Sequence, residues 1–392
     1  MKAHNTVALI HTQFGPYHFA RARALMQIYP ESVRLIQLAS HEVQRQWIVD
    51  ADTPDVTTVA EGTLETLVPK MIATKLVECL TEIAPSVIVI AGYSHPAMRA
   101  ATGWARRQGV ATVLLSDSQH FDRPRNPIKE GLKGFWIRRN FYAAFVAGAS
   151  ASFYLSNLGF PRNRIWRGYD VVNNTYFAQA AETTSNLGEE IRKKLGLPER
   201  YFLYVGRFSS EKNLLRLLEA YQVYLQHTEQ EVWSLVLVGS GPQEAKLKAK
   251  ANQLGLKDIF WIEFKQLDEL PVYYSLATAL ILPSVSEPWG LVVNEAMACG
   301  LPVLISDRCG CVPDLVFPGI NGYIFNSLSV EGIAAAMLSM NSKSDQQWEK
   351  MRQASKRIIA NYTPEIWAQA LVDCIQFILN DFRGKDLVRE SK

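Results

Sequence analysis

The fold is decided by the stretch TALILPSVSEPWGLVVNEAMACG, residues 278–300. TALILPS is an apolar run of strand length, and LVVNEAMAC has the composition of a buried helix, so the stretch predicts a strand, a Pro-Trp-Gly turn and a helix. Two glutamates interrupt it, Glu287 in the turn and Glu295 inside the apolar helix. An unpaired carboxylate is unfavourable in a helix buried in the core, and a helix face exposed to solvent would contain fewer apolar residues than LVVNEAMAC does. Both glutamates are therefore candidate ligand-binding residues.

The same alternation of strands and helices runs through the rest of the chain. Further strands are predicted at VALIH (7–11), VIVIAGY (87–93), ATVLLSD (111–117), YFLYVGRF (201–208), SLVLVGS (234–240), DIFWIEF (258–264) and LPVLISD (301–307). The alternation stops and restarts, and two successive series of this kind indicate an α/β protein with two doubly wound, Rossmann-like domains. The polar stretch 173–200 breaks both periodicities, so we expect the domain boundary there.

Length and composition limit the classes of protein. At 392 residues the chain exceeds the size of one core, which favours two domains, and 48% hydrophobic with 20% charged residues is ordinary for globular proteins. No apolar run reaches about 18 residues, and residues 1–25 carry polar side chains where a signal peptide is apolar. The five cysteines form no CxxC pair and no metal-ligand cluster. We expect a cytoplasmic protein with reduced thiols.

The net charge of +3 is unevenly distributed. Residues 1–175 carry 19 Lys and Arg against 13 Asp and Glu, a net +6, and the remaining 22 against 25 give −3. Residues 123–141, RPRNPIKEGLKGFWIRRNF, contain six basic residues and one acid, with Phe135 and Trp136 among them. Two interpretations stay open: a solvated amphipathic face, or peripheral contact with an anionic membrane or acceptor. Nucleic acid is disfavoured because the charge is local.

Phosphate-binding features follow two strands of the second predicted domain. GRFSSEKN provides Gly206 for a close backbone turn, Arg207 as a forked donor and Lys212 as a point charge. The turn SVSEPWG leads into a helix whose free amides near Gly290 and Leu291 suit an anion. Ligands of such sheets bind outside the carboxyl ends of the strands, so these groups together suit a diphosphate.

The two glutamates extend this site to a sugar nucleotide. Glu287 is placed to accept hydrogen bonds from sugar hydroxyls, and Glu295 lies about 7.5 Å beyond Gly290 along the helix, at a position suited to a ribose. The segment GSGPQE (239–244) lacks the third glycine and the later acidic residue of a dinucleotide fingerprint, which argues against NAD. The residues therefore favour a nucleoside diphosphate sugar as ligand.

Candidate acceptor-side residues follow strands of the first predicted domain. The FGPY turn, with Gly15, opens onto a helix that begins near His18. Asp117 lies at the tip of the strand 111–117, and His120 and Asp122 come directly after it. A histidine is more often structural than catalytic, but these positions predict a group of polar residues near an acceptor, with His120 as the candidate to assist catalysis.

The segments GRFSSEKN, SVSEPWGLVVNEAMACGLPVLISDRCG and GINGYIF resemble family 4 of the retaining glycosyltransferases, within glycosyl transferases group 1. The resemblance covers about residues 201–326, and more weakly FGPYHFARARAL and 159–177. It implies the GT-B fold, with two facing Rossmann-like domains and a cleft between them. The implied organisation is an acceptor-binding domain over 1–175, a donor-binding domain over 176–363, and a C-terminal helix over 364–392 that is a candidate to pack back on the first domain.

The resemblance also implies an activity. It predicts transfer of a hexosyl group from a UDP- or GDP-sugar to an acceptor hydroxyl with retention (EC 2.4), in polysaccharide, glycolipid or other glycoconjugate synthesis. Arg207 and Lys212 would neutralise the leaving diphosphate, Glu287 would hold the donor sugar and Glu295 the ribose. No cofactor or divalent metal is expected, in agreement with the absence of a DxD-type motif after any predicted strand. The remaining implied donor-site residues are Gly15, Gly206, Trp289, Gly290 and Leu291.

Two alternatives stay open at this point. A sugar-nucleotide epimerase of similar fold would share the architecture, although it would need its own carboxylate and histidine set in place of the EPWG helix. A non-catalytic nucleotide-sugar binding protein is the second alternative, and the intact set of Arg207, Lys212 and Glu287 argues against it. The sequence does not distinguish the sugar, the base or the acceptor.

Overall fold

The structure is a computed structural model that describes residues 6–30, 32–43, 53–186 and 188–390, without the side chains of 185–186 and 382–390. The chain forms two compact units. Unit 1 consists of the described residues of Met1–Gln119, Arg125–Val171 and Pro364–Lys392, and unit 2 of those of His120–Pro124 and Val172–Thr363. Within these ranges no helix is both long and apolar enough to cross a membrane.

Unit 1 is built on a seven-stranded parallel sheet. Its strands are β1 (Val7–His11), β2 (Val33–His41), β3 (Val56–Thr63), β4 (Val87–Ala91), β5 (Ala111–Ser116), β6 (Ala143–Val146) and β7 (Ile165–Arg167). The spatial order is β3-β2-β1-β4-β5-β6-β7, and each pair is parallel. The central strands are buried on both faces, as their continuous Val, Ile and Leu runs predict.

Helices connect the strands of unit 1. They are α1 (Pro16–Ile28), α2 (Pro69–Ile83), α3 (Pro96–Gln108), α4 (Pro127–Asn140) and α5 (Ala149–Asn157). Four of them begin with proline in the first turn, where the missing N–H has no helical partner to lose. The Asn126 side chain accepts from the amides of Ile128 and Lys129 and so caps α4.

Unit 2 is built on a six-stranded parallel sheet. Its strands are β8 (Tyr201–Val205), β9 (Ser234–Val238), β10 (Ile259–Ile262), β11 (Ala279–Leu282), β12 (Val303–Ser306) and β13 (Gly322–Phe325), in the order β10-β9-β8-β11-β12-β13. Its helices are α6 (Asn174–Asn186), α7 (Gly188–Leu195), α8 (Leu214–His227), α9 (Glu244–Gln253), α10 (Leu270–Leu276), α11 (Leu291–Ala298), α12 (Val312–Leu315), α13 (Val330–Asn341) and α14 (Asp345–Ile359). All five strand pairs are parallel.

The long C-terminal helix α15 (Pro364–Glu390) belongs to unit 1. Trp367 is buried beside Phe145 of β6, with ring centroids 6.0 Å apart, and the guanidinium of Arg21 in α1 lies 5.8 Å from the Trp367 ring. These aromatic contacts attach α15 to the sheet and to α1.

The prediction of an α/β fold with two Rossmann-like doubly wound units is confirmed. The structure differs from the sequence prediction in the polar stretch 173–200, which forms α6 and α7. Phe177 of α6 is buried against Tyr274 of α10, so packing stabilises a helix whose own periodicity is weak.

Candidate functional site

In unit 2 the strand order reverses between β8 and β11. The connections from these two strands leave in opposite directions, which opens a crevice at their carboxyl ends, where doubly wound sheets bind ligands. Residues 206–213 follow β8, and residues 283–290 follow β11. Most of the predicted donor-site residues therefore lie at the switch point of one sheet.

Glycine is required where the loops after β8 and β9 meet. Gly206 has φ +148° and Gly239 has φ +144°, conformations that other residues rarely adopt. A Cβ on Gly239 would lie 2.0 Å from the Gly206 carbonyl oxygen, closer than any contact allows. The Tyr204 hydroxyl donates to the Arg207 carbonyl at 2.8 Å, which attaches the loop after β8 to the strand itself.

Lys212 and Glu287, assigned different roles from the sequence, form an ion pair in the structure. Lys212 Nζ donates to Glu287 Oε2, and the Ser284 hydroxyl donates to the same oxygen at 3.2 Å. The two charged side chains are only 15% and 12% exposed. The pair places a cation and an acceptor side by side at the crevice, so a bound diphosphate sugar could use both.

The position of Lys212 is fixed by hydrogen bonds between loops. Asn213, in the left-handed conformation at φ +61°, donates from Nδ2 to the carbonyls of Pro283 and Ser327, at 3.0 and 2.8 Å. The Val285 amide donates to the Glu211 carbonyl at 2.9 Å. The short turn that carries Lys212 is thereby attached to the loop that carries Glu287.

Arg207 is the exposed cation of the site. Its side chain is 58% exposed, and Nη2 lies 3.4 Å from Glu211 Oε1. Burial alone would raise the pKa of Glu211, but the Ser209 hydroxyl and the charges of Arg207 and Lys212 outweigh it and lower that pKa. Glu211 therefore stays ionised and orients a guanidinium that remains accessible to an anion.

The turn before α11 depends on two further glycines. Gly290 has φ +101° and directly precedes α11, so Leu291 begins the helix. A Cβ on Gly310 would lie 1.8 Å from the Pro288 carbonyl oxygen, and the Gly310 amide donates to the Glu287 carbonyl at 3.0 Å. The loop after β12 thus packs directly against the turn that carries Glu287.

Two of the predicted donor-site side chains lie beneath the surface. Trp289 is buried, and its Nε1 donates to Asn294 Oδ1 at 2.9 Å, so its indole packs inside the unit. Glu295 is 2% exposed and accepts a 2.6 Å hydrogen bond from the Tyr274 hydroxyl. A ribose contact at Glu295 would have to reach a carboxylate that Tyr274 already shares.

His120 and Asp122 were expected with the first domain, but the segment His120–Pro124 belongs to unit 2. The Ser286 hydroxyl, one residue before Glu287, donates to the Asp122 carbonyl at 2.8 Å. The Arg308 guanidinium lies 4.3 Å from the Phe121 ring. The exposed His120 and half-buried Asp122 are therefore held next to the Glu287 turn.

In unit 1, Gly15 and His18 meet at the start of α1. The Gly15 amide donates to His18 Nδ1 at 3.0 Å, which gives the buried His18 a helix-capping role and leaves its N–H on Nε2 in the neutral ring. The His11 ring lies beside it, tilted by 45°, with ring centroids 4.4 Å apart. The structure thus places both residues at the carboxyl end of β1, where unit 1 has its own change of strand order.

Asp117 has a buried carboxylate neighbour, Asp170, in unit 1. Burial raises the pKa of Asp170 to about 7, the nearby Asp117 carboxylate adds to the increase, and Arg21 opposes it. Arg21 Nη1 lies 3.8 Å from Asp170 Oδ1 and donates to the Tyr169 carbonyl at 2.6 Å. Asp170 was not predicted as a site residue, although it lies within the stretch 159–177 that resembles the family and three residues after the end of β7.

Gln13, in the loop after β1, was also missed. Its Nε2 donates to the Ser40 carbonyl at 3.1 Å, whereas its buried Oε1 has no hydrogen-bond partner among the residues that the structure describes. A buried acceptor without a donor is costly in a protein interior, so a ligand hydroxyl at this loop would stabilise it. A polar residue in the glycine turn after a buried strand was the available signal.

A metal-ligand cluster was not expected from the sequence. Among the residues that the structure describes, no group of three or more His, Cys, Asp or Glu side chains is arranged to hold a metal ion.

Comparison with known proteins identifies the unit that carries the site. Residues 188–358 match the family described as Glycosyl transferases group 1. O-antigen chain mannosyltransferase B of Escherichia coli is 30% identical over 156 residues, 39% of each chain. The 2-deoxystreptamine glucosyltransferase of Streptomyces kanamyceticus is 28% identical over 186 residues, 46% of each chain. The chain therefore spans less than half the length of these curated relatives.

Solved structures resemble the chain over nearly its whole length. Anabaena HepE, crystallised with UDP and glucose, has a TM-score of 0.72 at 16% identity and covers 95% of this chain and 99% of its own. Sucrose-phosphate synthase from Thermosynechococcus elongatus has a TM-score of 0.70 at 19% identity, over 96% and 99% of the two chains. At these identities the likeness shows the fold alone, and it confirms the predicted GT-B fold.

Proposed function

Because residues 188–358 match the glycosyl transferases group 1 family, we propose that the chain transfers a hexosyl group from a nucleoside diphosphate sugar to an acceptor hydroxyl. The observation that supports this most directly is the Lys212–Glu287 pair at the β8/β11 switch point, with the exposed Arg207 on the same loop as Lys212. Two cations suit a diphosphate, and a carboxylate beside them suits the hydroxyls of the sugar that the diphosphate carries.

We infer that the two cations act mainly as the leaving group departs. The bond from the sugar C1 to the phosphate oxygen breaks, and its electron pair leaves with the diphosphate, where Arg207 and Lys212 neutralise the added charge. The acceptor oxygen bonds to C1, and its proton passes to the departing phosphate oxygen. Attack from the side of the leaving group retains the anomeric configuration. Arg207 and Lys212 supply the charge for which a divalent metal would otherwise be needed.

The acceptor is proposed to be a sugar hydroxyl of a glycoconjugate. In unit 2, His120 and Asp122 lie beside the Glu287 turn and can orient such a hydroxyl. In unit 1, Asp117, which follows β5, and His18 and Gln13, which follow β1, are proposed as further acceptor contacts on that unit alone. UDP is the first nucleotide to test, since the HepE structure contains it, and GDP is the second.

The test is nucleoside diphosphate release from UDP- and GDP-sugars, with and without a panel of sugar and lipid-linked acceptors. Release that depends on an acceptor is expected, with an α-linked product from an α-linked donor by proton NMR and with full activity after EDTA treatment. Donor binding without release would favour a binding protein, and conversion of the donor sugar itself would favour an epimerase. An inverted product, or loss of activity on chelation, would contradict the proposed mechanism.

A further inference from the structure

Helix α4 exposes a continuous apolar strip. Ile128, Leu132 and Phe135 are 76%, 68% and 59% exposed, and their spacing of four and then three residues places them on one side of the helix. Single exposed apolar residues are common, but three large ones in a row on one helix mark a surface used for binding. We call these three residues the α4 strip.

The opposite side of α4 already provides its attachment to unit 1. Gly134 and Ile137 are the buried residues, and a Cβ on Gly134 would lie 2.4 Å from the Leu158 carbonyl oxygen. Trp136 is half-buried and packs against Tyr93, with ring centroids 5.3 Å apart. The apolar side chains of the α4 strip therefore lie on the side of the helix that faces away from this attachment.

The charged residues of α4 are also divided between an inward-facing group and an exposed group. Its single acid, Glu130, is turned inward, where it accepts from the Tyr154 hydroxyl and lies 3.4 Å from the Arg125 guanidinium. Lys133 is also turned inward and donates to the Tyr154 hydroxyl at 2.7 Å. The exposed charged residues of the helix are all basic: Lys129, Arg138 and Arg139.

We propose that the α4 strip docks unit 1 on an anionic lipid surface. A helix that presents large apolar side chains beside cations lies in the interface of a bilayer, where the apolar residues enter the acyl boundary and the cations meet anionic headgroups. A second copy of this chain would bring the basic residues of two helices together, so charge complementarity favours lipid. This inference is independent of the proposed function, since it concerns a surface of unit 1 and requires no donor.

The experiment is vesicle flotation of the full chain with phosphatidylcholine alone or mixed with phosphatidylglycerol, at low and high salt. The wild type is expected to float with the anionic vesicles and to be released by salt. The double variant Leu132→Glu/Phe135→Glu should bind at least about tenfold more weakly, because both apolar contacts are lost. Both positions are more than half exposed, so the variant should fold, which circular dichroism checks.

Two further variants separate the contributions. Leu328→Glu is the matched control, since Leu328 of unit 2 is 59% exposed, and it should float like the wild type. Lys129→Glu with Arg139→Glu should abolish the preference for anionic over neutral vesicles. Failure of the wild type to float, or equal flotation of the strip variant, would overturn the proposal. A lipid-free dimer that dissociates in the strip variant, without vesicle binding, would overturn it in favour of a second copy.

Discussion

Arg207 and Lys212 differ in burial although the same motif contains both. Arg207 is more than half exposed beside Glu211, whereas Lys212 is largely buried against Glu287 and Ser284. The sequence predicted the cations and the carboxylate, but the ion pair between Lys212 and Glu287 depends on the loop contacts of Asn213, which join residues about 70 positions apart. No pattern in the sequence near Lys212 or near Glu287 indicates that these two distant residues form an ion pair.

Arg207→Ala and Lys212→Ala are expected to lower turnover much more than donor affinity. Each change removes a charge that matters most when the diphosphate departs, and the loss should be roughly tenfold to a thousandfold in kcat. Steady-state kinetics with the identified donor provide the measurement. Lys248→Ala, which removes a surface pair with Glu244, is the control, and wild-type turnover in the Arg207 variant would remove that residue from the mechanism.

Glu295→Ala and Glu287→Ala should separate nucleotide binding from sugar binding. Loss of a ribose contact at Glu295 should weaken free nucleoside diphosphate and intact donor alike, by roughly tenfold to a hundredfold, whereas loss of Glu287 should spare the free nucleotide. Isothermal titration measures both ligands. As the control, Tyr274→Phe removes the hydrogen bond to Glu295 but keeps the Glu295 carboxylate, so this variant should bind nucleotide normally. Equal losses of nucleotide affinity in the two glutamate variants would refute the assignment.

Asp170→Asn should change how stability depends on pH. Burial raises the pKa of Asp170 from 3.8 to about 7 in the folded protein, so between these values the folded state holds a proton that the unfolded state has lost. Its contribution to stability therefore falls as pH rises through about 7, by on the order of a few kcal/mol. When the pH is raised from about 5 to about 8, the Tm of the variant should therefore fall less than the Tm of the wild type. A parallel Tm decline in both proteins would contradict the shifted pKa.

At the scale of elements, eight strands were predicted from apolar runs, among them β10 at a sheet edge, whereas β2, β3, β6, β7 and β13 were not. The strands at 7–11, 201–205 and 234–238 have continuous apolar sequences because they are buried on both faces. Strand β3, VTTVAEGT, was missed because it pairs with β2 alone at the edge of its sheet and needs less apolar character. Strand β13, with four residues at the other sheet's edge, was missed for the same reason.

Gly310→Ala should disturb the turn that carries Glu287. The added Cβ would meet the Pro288 carbonyl at 1.8 Å, and since both partners are backbone, the loop after β12 must move, at a cost of roughly 1–3 kcal/mol. Chemical denaturation measures the free energy of unfolding, and donor affinity should fall with it. Gly131→Ala is the matched control, because its Cβ meets nothing within 4 Å in an exposed part of α4, where alanine should stabilise slightly. An unchanged Gly310 variant would show that this contact does not position the turn.

At the scale of the whole molecule, the candidate donor site and the candidate docking surface belong to different units. Unit 2 carries the family match and the cations of the candidate donor site, whereas unit 1 carries the apolar strip and the basic residues of α4. The fold of both units followed from the alternation of strands and helices. The α4 surface did not, because the sequence shows the composition of the stretch 123–141 but not which of its side chains turn inward.

The central claim is that unit 2 binds a nucleoside diphosphate at the β8/β11 switch point. Hydrogen exchange of the full chain, measured by mass spectrometry with and without UDP, GDP and ADP, tests it most directly. For at least one nucleotide, protection should appear in the peptides that cover residues 206–213 and 284–295. Protection by none of the three nucleotides, or protection confined to peptides outside these two segments, would contradict the account.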